Sequence, residues 1–162
     1  MSKLFIKSKP PEEKTEEQTQ HNYDVVAALV GTFRGGQRLT IPNRKVTKLA
    51  FLLSKYGSPT GNLAFAIRRT SDDSLICSNL WGQCEDLPTT PEWIEQAFDN
   101  PQIINEEVRI FFEYTCLVGG NQVSFRCQNT DVKPDETESH YRDATWYQME
   151  WDTAYRYKYY EV

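Results

Sequence analysis

VTKLAFLLSKYGSPTGNLAFAIRR, Val46 to Arg69, holds two apolar-rich runs around five turn residues, Gly57-Ser58-Pro59-Thr60-Gly61. In the first run Leu49, Phe51 and Leu53 fall on one face. In the second, Leu63, Phe65 and Ile67 alternate with Ala64, Ala66 and Arg68. A period of two puts alternate side chains on opposite faces and predicts a strand on each side of the turn. Proline fixes φ for a turn, and the two glycines tolerate positive φ. The stretch therefore predicts a corner between neighbouring antiparallel strands, a piece of architecture rather than a ligand site.

The same pattern extends in both directions. Val25 to Phe33 is an apolar run ending at Gly35-Gly36, and Leu39 and Ile41 precede a turn at Pro42-Asn43. Leu75-Ile76-Cys77 is a short strand, and Val108, Ile110, Phe112 and Tyr114 form another. Val123, Phe125 and Cys127 follow Gly119-Gly120-Asn121, and Tyr155, Tyr157 and Tyr159 alternate with polar residues near the end. Turn signals recur about every ten to fifteen residues, which suits a β-sandwich or barrel. Thr90-Pro91-Glu92 fits a helix start, with a hydroxyl cap and proline at the first position. A strand over Trp93–Phe98 fits the same residues.

Residues 1–22 differ in composition. Pro10-Pro11 leads into a run rich in glutamate and glutamine, Glu12 to Gln20, which has too little apolar surface to offset its ordering entropy. Alone it is expected to be a flexible arm ahead of one sandwich domain, residues 23–162. Leu4, Phe5 and Ile6 are its partner-binding candidates, adding to a neighbouring subunit's sheet edge or filling its groove.

The chain has 162 residues, a net charge of −5 and a pI near 5.1. Such a balance gives no domain-wide positive field for nucleic acid or an anionic membrane, so neither is expected as a partner. Arg34, Arg38, Arg44, Lys45 and Lys48 are expected to be scattered surface charges. The longest apolar runs fall far short of the ~18–20 residues that cross a bilayer, and no secretory signal is legible.

No chemistry-bearing constellation emerges. Glu92 with Glu95, or Glu106 with Glu107, could pair as in glycoside hydrolysis, but nothing sets them across a cleft, so they are expected to be surface acids. Gly-x-Ser-x-Gly and the phosphate-binding Gly-x-x-x-x-Gly-Lys are both missing. The acidic stretch after Asp131 lacks the ligand order of a calcium loop. Cys77, Cys84, Cys116 and Cys127 form no Cys-x-x-Cys pair and are expected to be free thiols, although Cys77–Cys84 and Cys116–Cys127 could bridge. No catalytic residue, metal or cofactor is expected. The densest feature is aromatic: Tyr141, Trp146, Tyr147, Trp151, Tyr155, Tyr157, Tyr159 and Tyr160. The alternating tyrosines are expected to pack inward. Trp146, Tyr147 and Trp151 are candidates for a protein interface, where such residues are enriched, and after that for a glycan platform.

Val46–Arg69 also resembles a recurrent jelly-roll β-sandwich module built around Gly-Ser-Pro-Thr-Gly, found in phage particle proteins and in extracellular carbohydrate-binding-like domains. Trp93, Phe98-Asp99-Asn100-Pro101 and Val108–Tyr114 are similar to its following strands. Leu29–Gly36 resembles its first strand and Tyr155–Val162 its closing strand. The resemblance implies a non-enzymatic jelly roll with no catalytic residues to carry over. The expectation is a structural subunit of a virion, such as a phage capsid decoration or tail protein, assembled in the host cytoplasm and docked on other protein subunits through its arm. The alternative is a carbohydrate-binding module.

Overall fold

The computed structural model describes residues 6–26 and 30–162. Eleven strands run through them: β1 (Lys14–Gln18), β2 (Tyr23–Val26), β3 (Gly31–Tyr56), β4 (Asn62–Arg69), β5 (Leu75–Gln83), β6 (Glu92–Cys116), β7 (Gln122–Gln128), β8 (Thr137–Arg142), β9 (Thr145–Met149), β10 (Asp152–Thr153) and β11 (Tyr155–Glu161). One 3₁₀ turn, Cys84–Asp86, follows β5. The fold is all-β and antiparallel.

Its frame is a ribbon of two long strands, β3 and β6, paired from Gly31–Cys116 at one end to Leu53–Glu92 at the other. On this ribbon Phe112 stands opposite Gly35, and Phe51 lies sixteen residues further along β3. In a straight strand, at about 3.3 Å per residue, those positions would be some 50 Å apart. The rings of Phe51 and Phe112 are instead 5.8 Å apart, centre to centre. The ribbon therefore folds back on itself. The bend sits where the register slips, between Ile41 and Arg44 and again between Val46 and Lys48. There Pro42 supplies no amide to the ladder, and Asn43 takes a left-handed φ of 47°.

Each half of the ribbon seeds one layer. Residues 31–41 and 106–116 lie between β8 and β4, giving the order β9-β8-β3-β6-β4-β5. Residues 44–56 and 92–104 carry β11 and then β1 on the β3 side, and β7 pairs with the end of β3 and with β2 and β10. Phe33, Phe65, Ile67, Ile110 and Phe112 meet Leu49, Phe51, Leu53, Phe125, Tyr155 and Tyr157 in one core, every one of them buried. The layers interdigitate as in a β-sandwich. Gly35 makes room for this, since a Cβ there would lie 2.8 Å from the Phe112 ring and 2.9 Å from that of Phe125.

Several expectations are revised. Pro42-Asn43 bends one strand rather than separating two. Gly35-Gly36, where an apolar run ends, lies inside β3. Of the helix and strand that both fit Trp93–Phe98, the strand forms, as the head of β6. Gly57 and Gly61 do take positive φ, 72° and 95°. Their corner, however, joins strands that do not pair: it carries the chain from the end of β3 in one layer to β4 in the other, where Phe51 and Phe65 stack 5.7 Å apart. β7 likewise does not form a hairpin with β6. It pairs with β3, so Cys116 and Cys127 do not face each other.

The glutamate run of the leader is partly strand. Lys14–Gln18 pairs with β11 of the same chain. Charge explains what composition did not: Glu16 meets Arg44 at 3.2 Å and Lys133 at 3.1 Å, Glu17 meets Arg156 at 2.7 Å, and Glu13 meets Lys48 at 3.7 Å. The Gln18 side chain is buried and donates to the Thr153 carbonyl at 3.2 Å.

Candidate interaction site

β8 and β9 form a short hairpin with Tyr141 opposite Trp146 and His140 opposite Tyr147. Neighbouring residues of a strand point to opposite faces, and the two rings part accordingly. The Trp146 indole lies edge-on to buried Phe111, 5.5 Å away, under the Arg109 guanidinium at 4.6 Å. Its N–H donates to Asp73 at 3.0 Å, tying the hairpin to the β4–β5 turn. Beside it Arg34 stacks on Tyr141 at 4.3 Å and pairs with Glu113. Burial among these rings, with Arg38 nearby, holds the Arg109 pKa below its ordinary value despite Asp73 and Glu107.

Tyr147 faces the other way. It stacks on His140 at 5.5 Å and meets Arg142 at 5.0 Å, remaining 39 % exposed. Trp151 lies apart again, 4.9 Å from Tyr23 and edge-on to it, on a shallow cleft shared with Val25 and Met149. The three candidate aromatics thus occupy three separate settings and form no common platform. Of the leader candidates, Leu4 and Phe5 lie outside the described residues, and Ile6 is 83 % exposed.

Behind the hairpin is a buried polar cluster that the sequence reading missed. Asp152, fully buried, accepts from the Gln37 amide at 2.6 Å and from the backbone N–H groups of Val132 and Lys133 at 2.7 and 2.9 Å. Glu138, also fully buried, hydrogen-bonds the His140 Nδ1 at 2.7 Å with one oxygen, while the other has no partner. Burial raises the Glu138 pKa above the usual carboxylate range, against the pull of His140. Burial raises Glu136 as well, although the Tyr155 hydroxyl donates to it at 2.7 Å. His140 is sandwiched between Phe33 and Tyr147 at 6.3 and 5.5 Å. The cluster fixes the loop before β8 and the strand itself onto β3 and β10. Its one sequence signal was Gln37, a polar residue between inward apolar positions of β3; β8 and β10, which carry Glu138, His140 and Asp152, are polar strands with no apolar pattern to mark them.

The acids weighed for catalysis are engaged in ion pairs or lie on the surface. Glu95 meets Lys158 at 3.4 Å, Glu106 meets Arg69 at 3.0 Å, and Glu107 meets Arg38 at 2.7 Å. Glu92 is exposed at the head of β6. The Arg38 bond lowers the Glu107 pKa, helped by the Thr70 hydroxyl and opposed by partial burial. All four cysteines are free. Among the described residues no group of three or more His, Cys, Asp or Glu side chains could hold a metal, and no helix is long and apolar enough to cross a membrane. No family model and no curated protein matches the chain.

Proposed function

We propose that the protein is a non-enzymatic structural subunit: a jelly-roll β-sandwich that joins other protein subunits of a larger particle, of the virion kind, through its N-terminal arm. The observation that carries this reading is the state of the leader. Residues 6–12 are exposed and without secondary structure directly ahead of edge strand β1, and Ile6 presents an apolar side chain to solvent. An extended segment with apolar side chains, anchored at one end, is suited to ordering on a partner. Removing residues 1–11 should leave the thermal midpoint unchanged and abolish assembly in sedimentation velocity. An arm-less chain that assembles normally would overturn the reading.

For the second reading, a carbohydrate-binding module, Tyr147 is the exposed ring on the hairpin. Trp146 is packed under Arg109, and Trp151 is half-buried against Tyr23. Binding to a glycan array that Tyr147→Ala removes would favour that reading instead.

A further inference from the structure

We infer that β5 is the docking edge for a second copy of this chain: residues 3–7 of one subunit add as a strand alongside Leu75–Gln83 of the next. The inference rests on the reading of the protein as an assembly subunit and names the surface its arm would take.

Edge strands present a row of unpaired backbone groups, and proteins usually blunt them with charge, proline or short length. Among the described residues β5 pairs with β4 alone. Its nine residues, LICSNLWGQ, contain no charged residue and no proline. The other lateral edges among the described residues are shorter or charged. β1 is five residues with three charges, KTEEQ, β2 is four residues, YDVV, with one acid, and β9 is five residues. The free flank of β6 carries Glu92, Glu95, Asp99 and Pro101. By this comparison β5 is the edge left open.

The surroundings of β5 fit an added strand. Leu75 and Leu80 are 48 % and 54 % exposed. A cleft of about 310 Å³ lies on one side of the strand, lined by Leu75, Cys77, Asn79 and Asp99. On the other face Leu80 borders a second cleft, of about 380 Å³, that runs back over Ala64 of β4 and Glu113 and Thr115 of β6. Side chains of an added strand alternate between its two faces, so Leu4 and Ile6 would face the first cleft and Phe5 the exposed Leu80.

Charge selects the occupant. Residues 1–11 carry Lys3, Lys7 and Lys9 and no acid. The rim of β5 carries exposed Asp72 and Asp99, with Glu85 and Asp86 beyond its end. The leader is thus divided: its acidic half is held by the subunit's own Arg44, Lys133 and Arg156, and its basic half matches an acidic rim.

Topology sets the geometry. β1 lies beyond β11 on one flank of β3. β5 lies on the opposite flank, where the Asn79 side chain accepts from the Asp99 amide at 2.9 Å. Residues 8–13 connect the docking segment to β1, and at about 3.3 Å each they reach roughly 20 Å. A leader leaving one flank and docking on the other flank of the next copy makes a head-to-tail contact, which closes into a ring or runs on as a filament.

The test mixes full-length chains of light and heavy isotope, treats them with a carbodiimide that joins lysine to carboxylate, and follows assembly by sedimentation velocity. Expected are mixed-isotope links from Lys7 or Lys9 to Asp72 or Asp99, and at least tenfold weaker self-association in Leu80→Lys, an exposed position where the fold should survive. Leu75→Lys should weaken it likewise. Assembly with the leader linked elsewhere, or unaffected by both substitutions, would overturn the β5 site alone. A chain that stays monomeric at every concentration, with no mixed links, would overturn the site together with self-assembly through the arm.

Discussion

Gln37 of β3 donates its side-chain amide to Asp152 at 2.6 Å, and both residues are completely buried. The same Gln37 accepts from the Thr153 amide at 2.9 Å, so one glutamine holds the chain just before β11 against β3. Removing one partner of a buried, charged hydrogen-bond set costs far more than the set contributes net, because the others are left unpaired. Asp152→Ala strands the Gln37 amide and two backbone N–H groups, and should cost about 3–5 kcal/mol. Urea unfolding at 25 °C measures it. A loss under about 1 kcal/mol would mean that water replaces the carboxylate.

Glu138 gives a pH signature. Its pKa is higher folded than unfolded because burial disfavours the charged form. Above the ordinary glutamate range the unfolded chain has given up this proton and the folded chain has retained it. The folded state then binds more protons, so this group's contribution to stability falls as pH rises toward the folded pKa. Glu138→Gln removes the titration and should flatten the decline. Comparing unfolding free energies of both proteins between pH 4.5 and 7.5 cancels shared terms such as Glu107, whose lowered pKa acts in the opposite sense. Parallel curves would exclude the role given to Glu138.

Gly36 should tolerate nothing larger. A Cβ there would lie 1.9 Å from the Ile110 carbonyl oxygen, part of the backbone of the paired strand. Gly36→Ala should therefore cost more than about 2 kcal/mol. Gly119→Ala, with nothing within 4 Å of its Cβ, should stay within about 0.5 kcal/mol of the parent. Thermal denaturation of the two variants side by side gives the contrast.

Trp146 holds its hairpin down through Phe111, Arg109 and Asp73. Trp146→Ala exposes Phe111 and should destabilise by about 1–3 kcal/mol. Asp73→Asn, which keeps an acceptor for the indole N–H, should cost less than half as much. Equal effects from the two substitutions would mean that the charge on Asp73, and not the packing of the indole, carries the contact.

Three of the four thiols should be inert in the folded protein. Burial pushes Cys77 up to about 12 and Cys84 to about 11, and raises Cys127 strongly. Thiolates are the reactive form, so a thiol reagent at pH 8 should modify these three only as fast as the protein opens, and all four at once in denaturant. Rapid native labelling of Cys77 would indicate that β5 frays.

Alternation made the strands legible. The inward sets Leu49-Phe51-Leu53, Leu63-Phe65-Ile67 and Tyr155-Tyr157-Tyr159 stand where a period of two puts them. Continuity was not legible. Pro42-Asn43 reads as a turn because proline and positive φ mark both turns and bulges, and only long-range pairing with β6 distinguishes them. The length of β6 was hidden in the same way, behind Asn100-Pro101 and its charges. The leader's strand escaped because composition weighs a segment by itself, whereas Glu16 and Glu17 are held by Arg44, Lys133 and Arg156, all distant in sequence. The aromatic cluster was visible as a list, but adjacency in the list hid that Trp146 and Tyr147 face apart.

The pairing of β1 with β11 has a mechanical corollary. Lys14 sits beside Tyr159, so the beginning and the end of the chain leave the sandwich at the same corner. Tension between them would load the ladder one rung at a time and unzip five residues of edge strand, while the folded-over β3–β6 ribbon bears little of the force. A particle built from such units would yield first at its tethers and recoil with its cores intact.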